Sequence, residues 1–447
     1  GGEKLGQGYG AGGAAGGWGA DAGDRAQRWR GALLMERETA ARVVIGAQFG
    51  DEGKGQTVAG EAAATGSDGI VVRYNGGAQA GHTVIAPDGR RHVFSHVGSG
   101  AFSGAATFLS RWFVSHPILF LKEQAALATL EVKPVVLVDP ASPVTTPYDM
   151  LINQIVERAR GHGRHGSCGV GFGETLERNL TPPYALTVGD LADPALADRL
   201  DAIRRDYAPA RLNRLGYGAA YLENSDLFQS EAVLAHFVED VSHFLEAVTV
   251  CDARTATQDR TLIFEGAQGL WLDQDRGFFP YVTRSNTGLR NVLELAGELG
   301  LKRLEVSYIT RAYLTRHGAG PLPHELPDKP YPGVEDATNR PNTYQGALRF
   351  GWLDLDELER ALVADLADAR RFPTLTVSAR LMVTCLDQLG DAPMIYHHQG
   401  RRRQDGPEQF LTTAVKATGL PALLGNPEIT RDAALQFPRA ASADLGG

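Results

Sequence analysis

Short, continuous apolar stretches recur along the chain, separated by longer segments with helical spacing. Six of these stretches are RVVIGAQ, GIVVRYNGG, KPVVLVDP, RTLIFEGAQG, LEVSYITRAY and RLMVTCLDQ. Apolar runs joined by crossovers are typical of parallel strands that are buried on both faces. Before the last run, Leu355, Leu358, Leu362 and Leu366 repeat at helical spacing, which predicts an amphipathic helix. The pattern therefore predicts an α/β fold: a single large domain around a mostly parallel central sheet with helices on both faces.

The N-terminal segment differs from the rest of the chain. Residues 1–34 include GGEKLGQGYGAGGAAGGWGADAGDR, a Gly/Ala-rich tract without hydrophobic periodicity. Such a tract buries too little apolar surface to offset the entropy lost on ordering. We therefore expect residues 1–34 to be a disordered tail and residues 35–447 to form the folded domain. Within that domain, Leu326–Gln345 carries four prolines and little periodicity, which is typical of a functional loop.

Composition and charge narrow the class of protein. The sequence is 43% apolar and 22% charged, as in ordinary globular proteins, and its formal net charge is -9. This acidic balance argues against a general nucleic-acid or membrane-surface binder, because those proteins present a basic field. Cys168, Cys251 and Cys385 lie far apart without a CxxC pair, which supports neither a disulfide framework nor a zinc site. With no apolar stretch long enough for a membrane span, we expect a cytoplasmic location.

The first candidate site is the glycine-rich turn GAQFGDEGKG, residues 46–55, which follows an apolar run. Its spacing departs from a Walker loop, since Gln48 stands five places before Gly53 and Gly55 follows Lys54. Even so, glycine amides, the lysine charge and the N-terminus of a following helix can all hold phosphate oxygens. A tight turn without a ligand is the alternative.

Two carboxylates, Asp51 and Glu52, stand inside this turn. They would repel a phosphate unless a metal ion bridges them to it or one of them accepts a proton. Asp51 is therefore a candidate for a catalytic base, for a magnesium ligand, or for both. Glu52 has a less defined role, and we assign it to support of the positive end of the helix.

Two further strand ends carry polar residues between small ones. In RYNGGAQAGHTV, His82 stands between Gly81 and Thr83, where a flexible turn can bring an imidazole to a ligand oxygen as a general acid. A solvated or capping histidine is the alternative. In FEGAQG, Gln268 is flanked by small residues. Because open α/β sheets bind ligands where the carboxyl ends of strands meet, we expect these groups to share one site.

Taken together, the motifs resemble those of the adenylosuccinate synthetase family. The family's order is kept by GDEGKG, GGAQAGHT, GSCGVGFGE, FEGAQG, PYVTRSNT, TRHGAGPLP, GWLD and TCLD. The resemblance implies an adenylosuccinate synthetase-like fold, with the catalytic domain in residues 35–447, and a homodimer. It also implies a GTP- and Mg²⁺-dependent ligase of purine biosynthesis. Such a ligase joins L-aspartate to C6 of a 6-oxopurine nucleotide such as IMP, after phosphorylation of the 6-oxygen.

The resemblance also implies roles for individual residues. Asp51 takes the N1 proton of the purine and binds Mg²⁺ together with the carbonyl of Gly81. His82 acts as an acid on the transferring phosphoryl group, Lys54 holds phosphates, and Gln268 orients the base. The implied nucleotide-binding set comprises Gly50, Asp51, Glu52, Gly53, Lys54, Gly55, Gln79, Ala80, Gly81, His82, Thr83, Cys168, Gln268, Thr283, Cys385, Leu386 and Asp387.

The TCLD segment resembles the family's guanine-reading motif. In that motif Asp387 accepts hydrogen bonds from guanine N1 and N2, which favours GTP as the phosphoryl donor. Cys385 replaces the family's usual lysine, so packing against the base is altered. A loop-capping carboxylate is the alternative for Asp387.

Other departures from the family's motifs change the predicted sites for the purine nucleotide and for the amino acid. The family's usual threonine and arginine are Cys168 and Val170 here, and its interface arginine should fall within residues 179–186, which contain none. Gln79 and the alanine before it replace a His-Asn pair, so the amide reaches further. The arginine-rich stretch that grips aspartate in family members is reduced to Arg349.

We expect Arg349 and Arg316 to bind the amino acid, with Arg340 as a further candidate, because guanidinium groups pair well with carboxylates.

Three functions follow from these features. The first is a diverged adenylosuccinate synthetase that uses IMP and aspartate. The second is a paralogue that uses another amine or another purine nucleotide, such as dGMP in phage-type enzymes that make a 2-aminoadenine precursor. The third is a non-catalytic nucleotide-binding relative. Retention of Asp51 favours the first over the phage type, and the presence of Asp51, Lys54, His82 and Gln268 argues against the third.

Overall fold

The structure is a computed structural model that describes residues 40–161, 167–335 and 347–424. The expected tail at 1–34 lies outside these residues, as do Arg340 and part of the proline-rich stretch. In chain order the strands are β1 Ala40–Gly46, β2 Gly69–Arg73, β3 His82–Ile85, β4 Arg91–Phe94, β5 Ala106–Leu109, β6 Val136–Val138, β7 Thr249–Val250, β8 Thr261–Gly269, β9 Arg303–Arg311, β10 Leu314–Arg316, β11 Glu325–Leu326, β12 Arg349–Gly351, β13 Leu353–Asp354, β14 Thr376–Thr384, β15 Met394–His398, β16 Arg401–Asp405 and β17 Ala422–Leu424.

Helices lie in the longer segments between these strands. In the described ranges they are α1 Lys54–Ala63, α2 Pro117–Ala128, α3 Pro147–Ala159, α4 Phe172–Asn179, α5 Leu196–Ala202, α6 Ala208–Arg214, α7 Gly218–Glu223, α8 Ser225–Gln229, α9 Glu231–Ala247, α10 Ala253–Thr257, α11 Arg290–Leu299, α12 Leu355–Leu366 and α13 Pro407–Thr418. Among these described helices, none has the length and apolar character needed to cross a membrane.

A nine-stranded sheet forms the centre of the described fold, in the order β17-β14-β9-β1-β8-β2-β5-β6-β7. Every neighbouring pair in it is parallel. β1 lies between β8 and β9, with Val43 opposite Phe264 and Val306. The six apolar stretches of the hydrophobic pattern all form strands of this sheet, so the predicted α/β fold is confirmed.

Both faces of the central strands, such as β2 and β8, are buried, which explains their continuous apolar runs. Successive side chains of a strand point to opposite faces. Val43 and Phe264 therefore belong to one apolar cluster, with α11 and α12, whereas Val44 and Ile263 belong to another, with α1. Full burial of such a side chain contributes about 1.5–3 kcal/mol. A strand that gains this stabilisation on both faces carries apolar side chains at successive positions and does not alternate between apolar and polar residues.

The predicted amphipathic helix is α12, whose Leu358 and Leu362 are buried in the cluster shared with Val43. The helix begins after Asp354. The Oδ1 atom of Asp354 accepts hydrogen bonds from the backbone N–H groups of Asp356 and Glu357 at 2.9 and 3.1 Å. This capping supplies partners that the first turn of a helix otherwise lacks.

A separate helical region covers the β5 and β6 end of the sheet and is built largely from α2, α3, α5, α6 and α9. Arg178 near the end of α4 forms a two-pronged ion pair with Asp149 in the first turn of α3, with both nitrogen–oxygen distances at 2.9 Å. Both side chains are buried, so loss of either would leave an unpaired buried charge. This pair fixes α4 against the helical region.

Candidate active site

A cavity of about 1010 Å³ lies at the edge of the sheet where β1, β2, β8 and β9 end. Small-molecule sites usually measure about 300–1,000 Å³, so this cavity is at the upper end of that range. Most of the predicted nucleotide-binding residues line it together: Gly50, Asp51, Glu52, Gly53, Lys54, Gly55, Gln79, Ala80, Gly81, His82, Thr83, Cys168, Gln268 and Thr283. Arg316 also lines the cavity, whereas Arg349, Cys385, Leu386 and Asp387 are not part of its lining.

The turn between β1 and α1 has an irregular backbone. Gly50 has a φ angle of 89° and Asp51 one of 56°, which is uncommon for a residue with a side chain. A Cβ atom on Gly46 would lie 2.1 Å from Glu52 Oε2 and 2.8 Å from Lys54 Nζ. Glycine at this position therefore leaves room for two charged groups to fold back against the end of β1.

Glu52 and Lys54 form a buried pair in this turn, with 3.8 Å between Oε2 and Nζ. The backbone N–H of Gln48 donates to Glu52 Oε1 at 2.6 Å. Burial raises the pKa of Glu52 to about 7, against the attraction of Lys54, and burial also lowers the pKa of Lys54. The carboxylate thus bonds to the start of the turn, and α1 begins without a side-chain cap, so support of the helix N-terminus by Glu52 stays a prediction.

Asp51 is held by His317, with 2.8 Å between its Oδ2 and the histidine Nε2. Arg311 donates a hydrogen bond to the main-chain oxygen of Asp51. Burial alone would raise the pKa of Asp51, but the hydrogen bond from His317 and the charges of His317, Arg311 and Lys54 lower it overall. An ionised carboxylate that keeps 28% of its side chain exposed therefore faces the cavity.

His82 is buried at the start of β3, with 2.6 Å between its Nδ1 and Glu265 Oε1. The backbone N–H of Ser99 donates to Glu265 Oε2 at 3.0 Å, and the Ser99 hydroxyl donates to Oε1. Burial would raise the pKa of Glu265, but the charges of His82 and Arg73 and these hydrogen bonds lower it to about 2. Burial lowers the pKa of His82 despite Glu265. The lowered pKa of His82 favours the neutral imidazole when no ligand is bound, and the 2.6 Å contact with the carboxylate then places its proton on Nδ1.

The second nitrogen of this imidazole, Nε2, is buried and has no hydrogen-bond partner among the residues that the structure describes. The oxygen and the nitrogen of the Gln79 side-chain amide are likewise buried and have no hydrogen-bond partner among the described residues. Both residues line the cavity. A buried polar atom without a partner is costly, so these atoms mark positions where a ligand is expected to supply hydrogen bonds.

The ends of β2 and β8 are fixed to each other by Asn75 and Ala267. The Asn75 amide donates to the Ala267 carbonyl at 3.0 Å, and the Ala267 N–H donates to Asn75 Oδ1 at 2.8 Å. Gln268 follows directly, with a φ angle of 67°. This exchange of hydrogen bonds sets the position from which Gln268 enters the cavity.

The predicted guanine-reading segment lies beside the turn but outside the cavity lining. Thr384, at the end of β14, donates from its hydroxyl to the carbonyl of Glu52 at 2.9 Å. Cys385 follows with a φ angle of 59°, and Asp387 is exposed. The segment therefore contacts the backbone of the turn, and the base-reading role of Cys385, Leu386 and Asp387 stays a prediction.

Arg316 and Arg349 both have partners within the protein. Arg316 is 1% exposed and donates to three backbone carbonyls at 2.8 to 3.2 Å. Arg349 forms a two-pronged ion pair with Glu325 at 2.6 and 2.7 Å and donates to two carbonyls of the loop between β10 and β11. Both guanidinium groups hold this loop in place, and their role toward an amino acid stays a prediction.

The site can be compared with known proteins. The family model described as adenylosuccinate synthetase matches residues 43–402. This chain belongs to the adenylosuccinate synthetase family. Adenylosuccinate synthetase of Xanthomonas campestris pv. campestris (strain B100) is 31% identical over 381 residues, which cover 82% of each chain. The Xylella fastidiosa (strain M12) enzyme is 34% identical over 332 residues, 72% of this chain and 73% of that enzyme.

Two solved structures share the fold at 18% sequence identity. Fully ligated adenylosuccinate synthetase from Plasmodium falciparum superposes with a TM-score of 0.65 and covers 86% of this chain and 97% of its own. Succinoaminodeoxyadenylate synthetase of cyanophage S-2L, bound to dGMP and to dATP as an energy donor, gives 0.54 and covers 87% and 92%. As a member of the adenylosuccinate synthetase family, this chain is an enzyme, a GTP-dependent ligase.

Sequence reasoning does not single out Glu265, Arg311 or His317, yet each contacts a predicted catalytic residue of this adenylosuccinate synthetase family member. Glu265 does leave a signal, because it is the only acid in the apolar run of β8 and a buried carboxylate needs a partner. Arg311 and His317 leave none. Their contacts with Asp51 depend on the pairing of β1 with β9, which joins residues more than 250 positions apart.

Proposed function

We propose that this chain joins L-aspartate to C6 of IMP in a GTP- and Mg²⁺-dependent reaction, through a 6-phosphoryl intermediate, and so forms adenylosuccinate. The observation that carries the proposal is that Asp51, Lys54, His82 and Gln268 line one cavity. A base, a phosphate-binding cation, an imidazole and an amide are the groups that phosphorylation of a purine oxygen requires. Membership of the adenylosuccinate synthetase family supports the same reaction class.

In the first step, Asp51 accepts the N1 proton of the purine, which raises the electron density on the 6-oxygen. That oxygen attacks the γ-phosphorus of GTP, and GDP leaves. Lys54 and the amides of the turn stabilise the phosphate charge that spreads in the transition state. Gln268 orients the base. In the second step, the amine of aspartate attacks C6 and loses a proton, and phosphate leaves with the former 6-oxygen and takes up that proton.

His82 meets the transferring phosphoryl group through Nε2. In the protein without ligands this atom is an acceptor, because Nδ1 carries the proton shared with Glu265. To act as an acid, the imidazole must first be protonated. An anionic phosphoryl group beside Nε2 favours that protonation, and Glu265 stabilises the resulting cation.

Magnesium fits the donor set of this site. Asp51 supplies an ionised carboxylate and Gly81 a backbone carbonyl, and both residues line the cavity. The described residues contain no group of three or more His, Cys, Asp or Glu side chains that could hold a metal. Mg²⁺ is usually held by one or two carboxylates together with substrate phosphates and water, which suits so sparse a set. When bound, the ion would neutralise charge on the phosphates of GTP.

A second candidate acceptor is another purine nucleotide, such as dGMP. Two residues on the cavity wall favour testing it: Gln79, whose buried amide has no protein partner among the described residues, and Cys168, a weak hydrogen-bond donor. The cyanophage protein of related fold was solved with dGMP bound. Retention of Asp51 keeps IMP as the first choice.

The test is phosphate release from GTP with IMP, GMP or dGMP, each with and without L-aspartate, with the product identified by mass spectrometry. We expect release with IMP that requires both aspartate and Mg²⁺, and a succinylated product. Release with dGMP but not with IMP would replace the first acceptor by the second. No release in any combination, with a family relative active in parallel, would overturn the ligase reaction proposed here.

We also propose a homodimer located in the cytoplasm, with no nucleic-acid or membrane partner. This proposal rests on the family resemblance and on the acidic charge balance. Light scattering after size-exclusion chromatography would test the dimer, and a monomeric mass at micromolar concentration would contradict it.

A further inference from the structure

The motif resemblance assigns Thr283 to the acceptor's phosphate, and this residue is kept in the cavity lining, but one wall of the cavity lacks the other groups assigned to that phosphate. Cys168 and Val170 line this wall where threonine and arginine are usual, and residues 179–186 supply no arginine. Burial raises the pKa of the Cys168 thiol, so it stays uncharged. A phosphate monoester placed here needs other donors.

Two arginines from other parts of the chain reach the same wall. Arg211 comes from α6 and Arg284 from the loop between β8 and α11, and both line the cavity. Arg211 is gripped by Glu174, with Nε–Oε2 at 2.8 Å and Nη2–Oε1 at 3.2 Å. Its side chain is only 12% exposed, so the fork holds the guanidinium in one place.

The carboxylate of Glu177 lies between these two arginines. Its Oε1 is 3.2 Å from Arg211 Nη1, and its Oε2 accepts a hydrogen bond from Arg284. Glu177 is more open to the cavity than Glu174, since 24% of its side chain is exposed against 13% for Glu174, and its two bonds go to two different arginines. An anion bridging two guanidinium groups at a cavity wall occupies a position that also suits a phosphate.

We propose that Arg211 and Arg284 bind the phosphate monoester of the acceptor nucleotide, and that Glu177 holds this anion position until the nucleotide displaces it. The proposal rests on the nucleotide acceptor of the proposed function and adds the residues that read its phosphate. The Glu174 fork stays in place and keeps Arg211 preorganised, so little side-chain freedom is lost on binding. All four residues belong to one chain, and this subsite is therefore complete within a single subunit.

Because Glu177 competes with the phosphate for the two arginines, removal of its charge is expected to strengthen nucleotide binding rather than weaken it. Calorimetric titration with IMP, GMP and dGMP, and with the matching nucleosides, separates the phosphate from the base. Glu177→Gln should tighten binding of the preferred monophosphate, and Arg211→Gln should weaken it by roughly 10- to 100-fold, as expected for a charge-assisted contact. Neither change should alter nucleoside binding by more than about twofold.

The matched control is Arg199→Gln. Arg199 belongs to the neighbouring helix α5 and pairs with Asp190 at 2.8 Å. It is not among the residues that line the cavity. It should leave nucleotide binding unchanged. Weaker or unchanged binding of the monophosphate in Glu177→Gln would overturn the proposal. Equal losses of affinity for nucleotide and nucleoside in Arg211→Gln would also overturn it. So would a wild-type protein that binds no monophosphate. Since titration needs no turnover, failure of the ligase assay alone would count only against the proposed function.

Discussion

Two histidine–carboxylate pairs meet at the cavity, with similar lengths and opposite construction. His82 and Glu265 are 2.6 Å apart and almost fully buried, with side-chain exposures of 6% and 0%. His317 and Asp51 are 2.8 Å apart and keep 27% and 28% of their side chains exposed. The buried pair is fixed before any ligand arrives. The open pair can exchange its internal hydrogen bond for contacts with a purine or a metal.

The difference indicates which member of each pair reacts. In the buried pair, Glu265 is surrounded by Ser99 and Arg73 and does not line the cavity, so it orients the imidazole that does. In the open pair, we expect the carboxylate to be the reacting group and His317 mainly to set its ionisation. Substitutions in the two pairs should therefore have ordered effects on turnover.

The largest effect is expected for Asp51→Asn. The change removes both the proton acceptor and the charged ligand for magnesium, so kcat/KM for the acceptor should fall by about 10³-fold or more. Steady-state phosphate release measures it. Asp356→Asn is the control, because Asp356 pairs with His398 at 2.9 Å and is not part of the cavity lining. Similar losses in both variants would remove Asp51 from catalysis.

His82→Asn should rank second, with kcat lower by roughly 10²- to 10³-fold. Asparagine keeps a hydrogen-bonding amide at this position but cannot transfer a proton. Because binding of GTP does not need that proton, its KM should change by less than about threefold. Initial rates at varied GTP concentration test this split, and a loss confined to KM would contradict the acid role.

Glu265→Gln should cost roughly 10- to 100-fold in kcat, because the glutamine keeps the shape but no longer stabilises the imidazolium. KM for GTP should again change little. Circular dichroism of the variant checks that the fold persists. If kcat stays within about twofold of wild type while the fold is intact, Glu265 is only a structural support and the buried pair loses its assigned role.

His317→Asn is expected to have the smallest effect, a loss of about three- to tenfold at neutral pH. The hydrogen bond and charge of His317 lower the pKa of Asp51, so their removal raises that pKa. A base must be ionised to act, and the acidic limb of the kcat/KM profile should therefore move to higher pH. A profile that does not move, or moves to lower pH, would show that His317 does not control Asp51.

Much of the fold can be predicted from the sequence, because its signal is local. RVVIGAQ and RTLIFEGAQG each predict a strand that is buried on both faces, and the spacing of the leucines in α12 predicts a helix. The joining of Asp51 and Gln268 in one cavity also follows, since Asp51 comes after the end of β1 and Gln268 lies at the end of β8. His82 lies further beyond β2 and begins β3, which pairs antiparallel with β4.

The partners of these residues are harder to predict, because they depend on strand order. Arg311 reaches Asp51 only because β9 pairs with β1, and His317 follows from the same arrangement. Glu52 shows another limit. From the sequence it resembles an exposed acid at a helix start, whereas the missing Cβ of Gly46 lets it fold back into a buried position.

The central position of β1 bears on how the chain folds during synthesis. Among the described strands β1 comes first in chain order, yet its two neighbours in the sheet are β8 and β9, which end at residues 269 and 311. Contacts so distant in sequence form slowly, because a long loop must close before they are gained. The turn that carries Asp51 therefore leaves the ribosome before β8 and β9, and it acquires these neighbouring strands only after they have been made. A nascent fragment that stops before β9 lacks the strand whose end holds the backbone of Asp51.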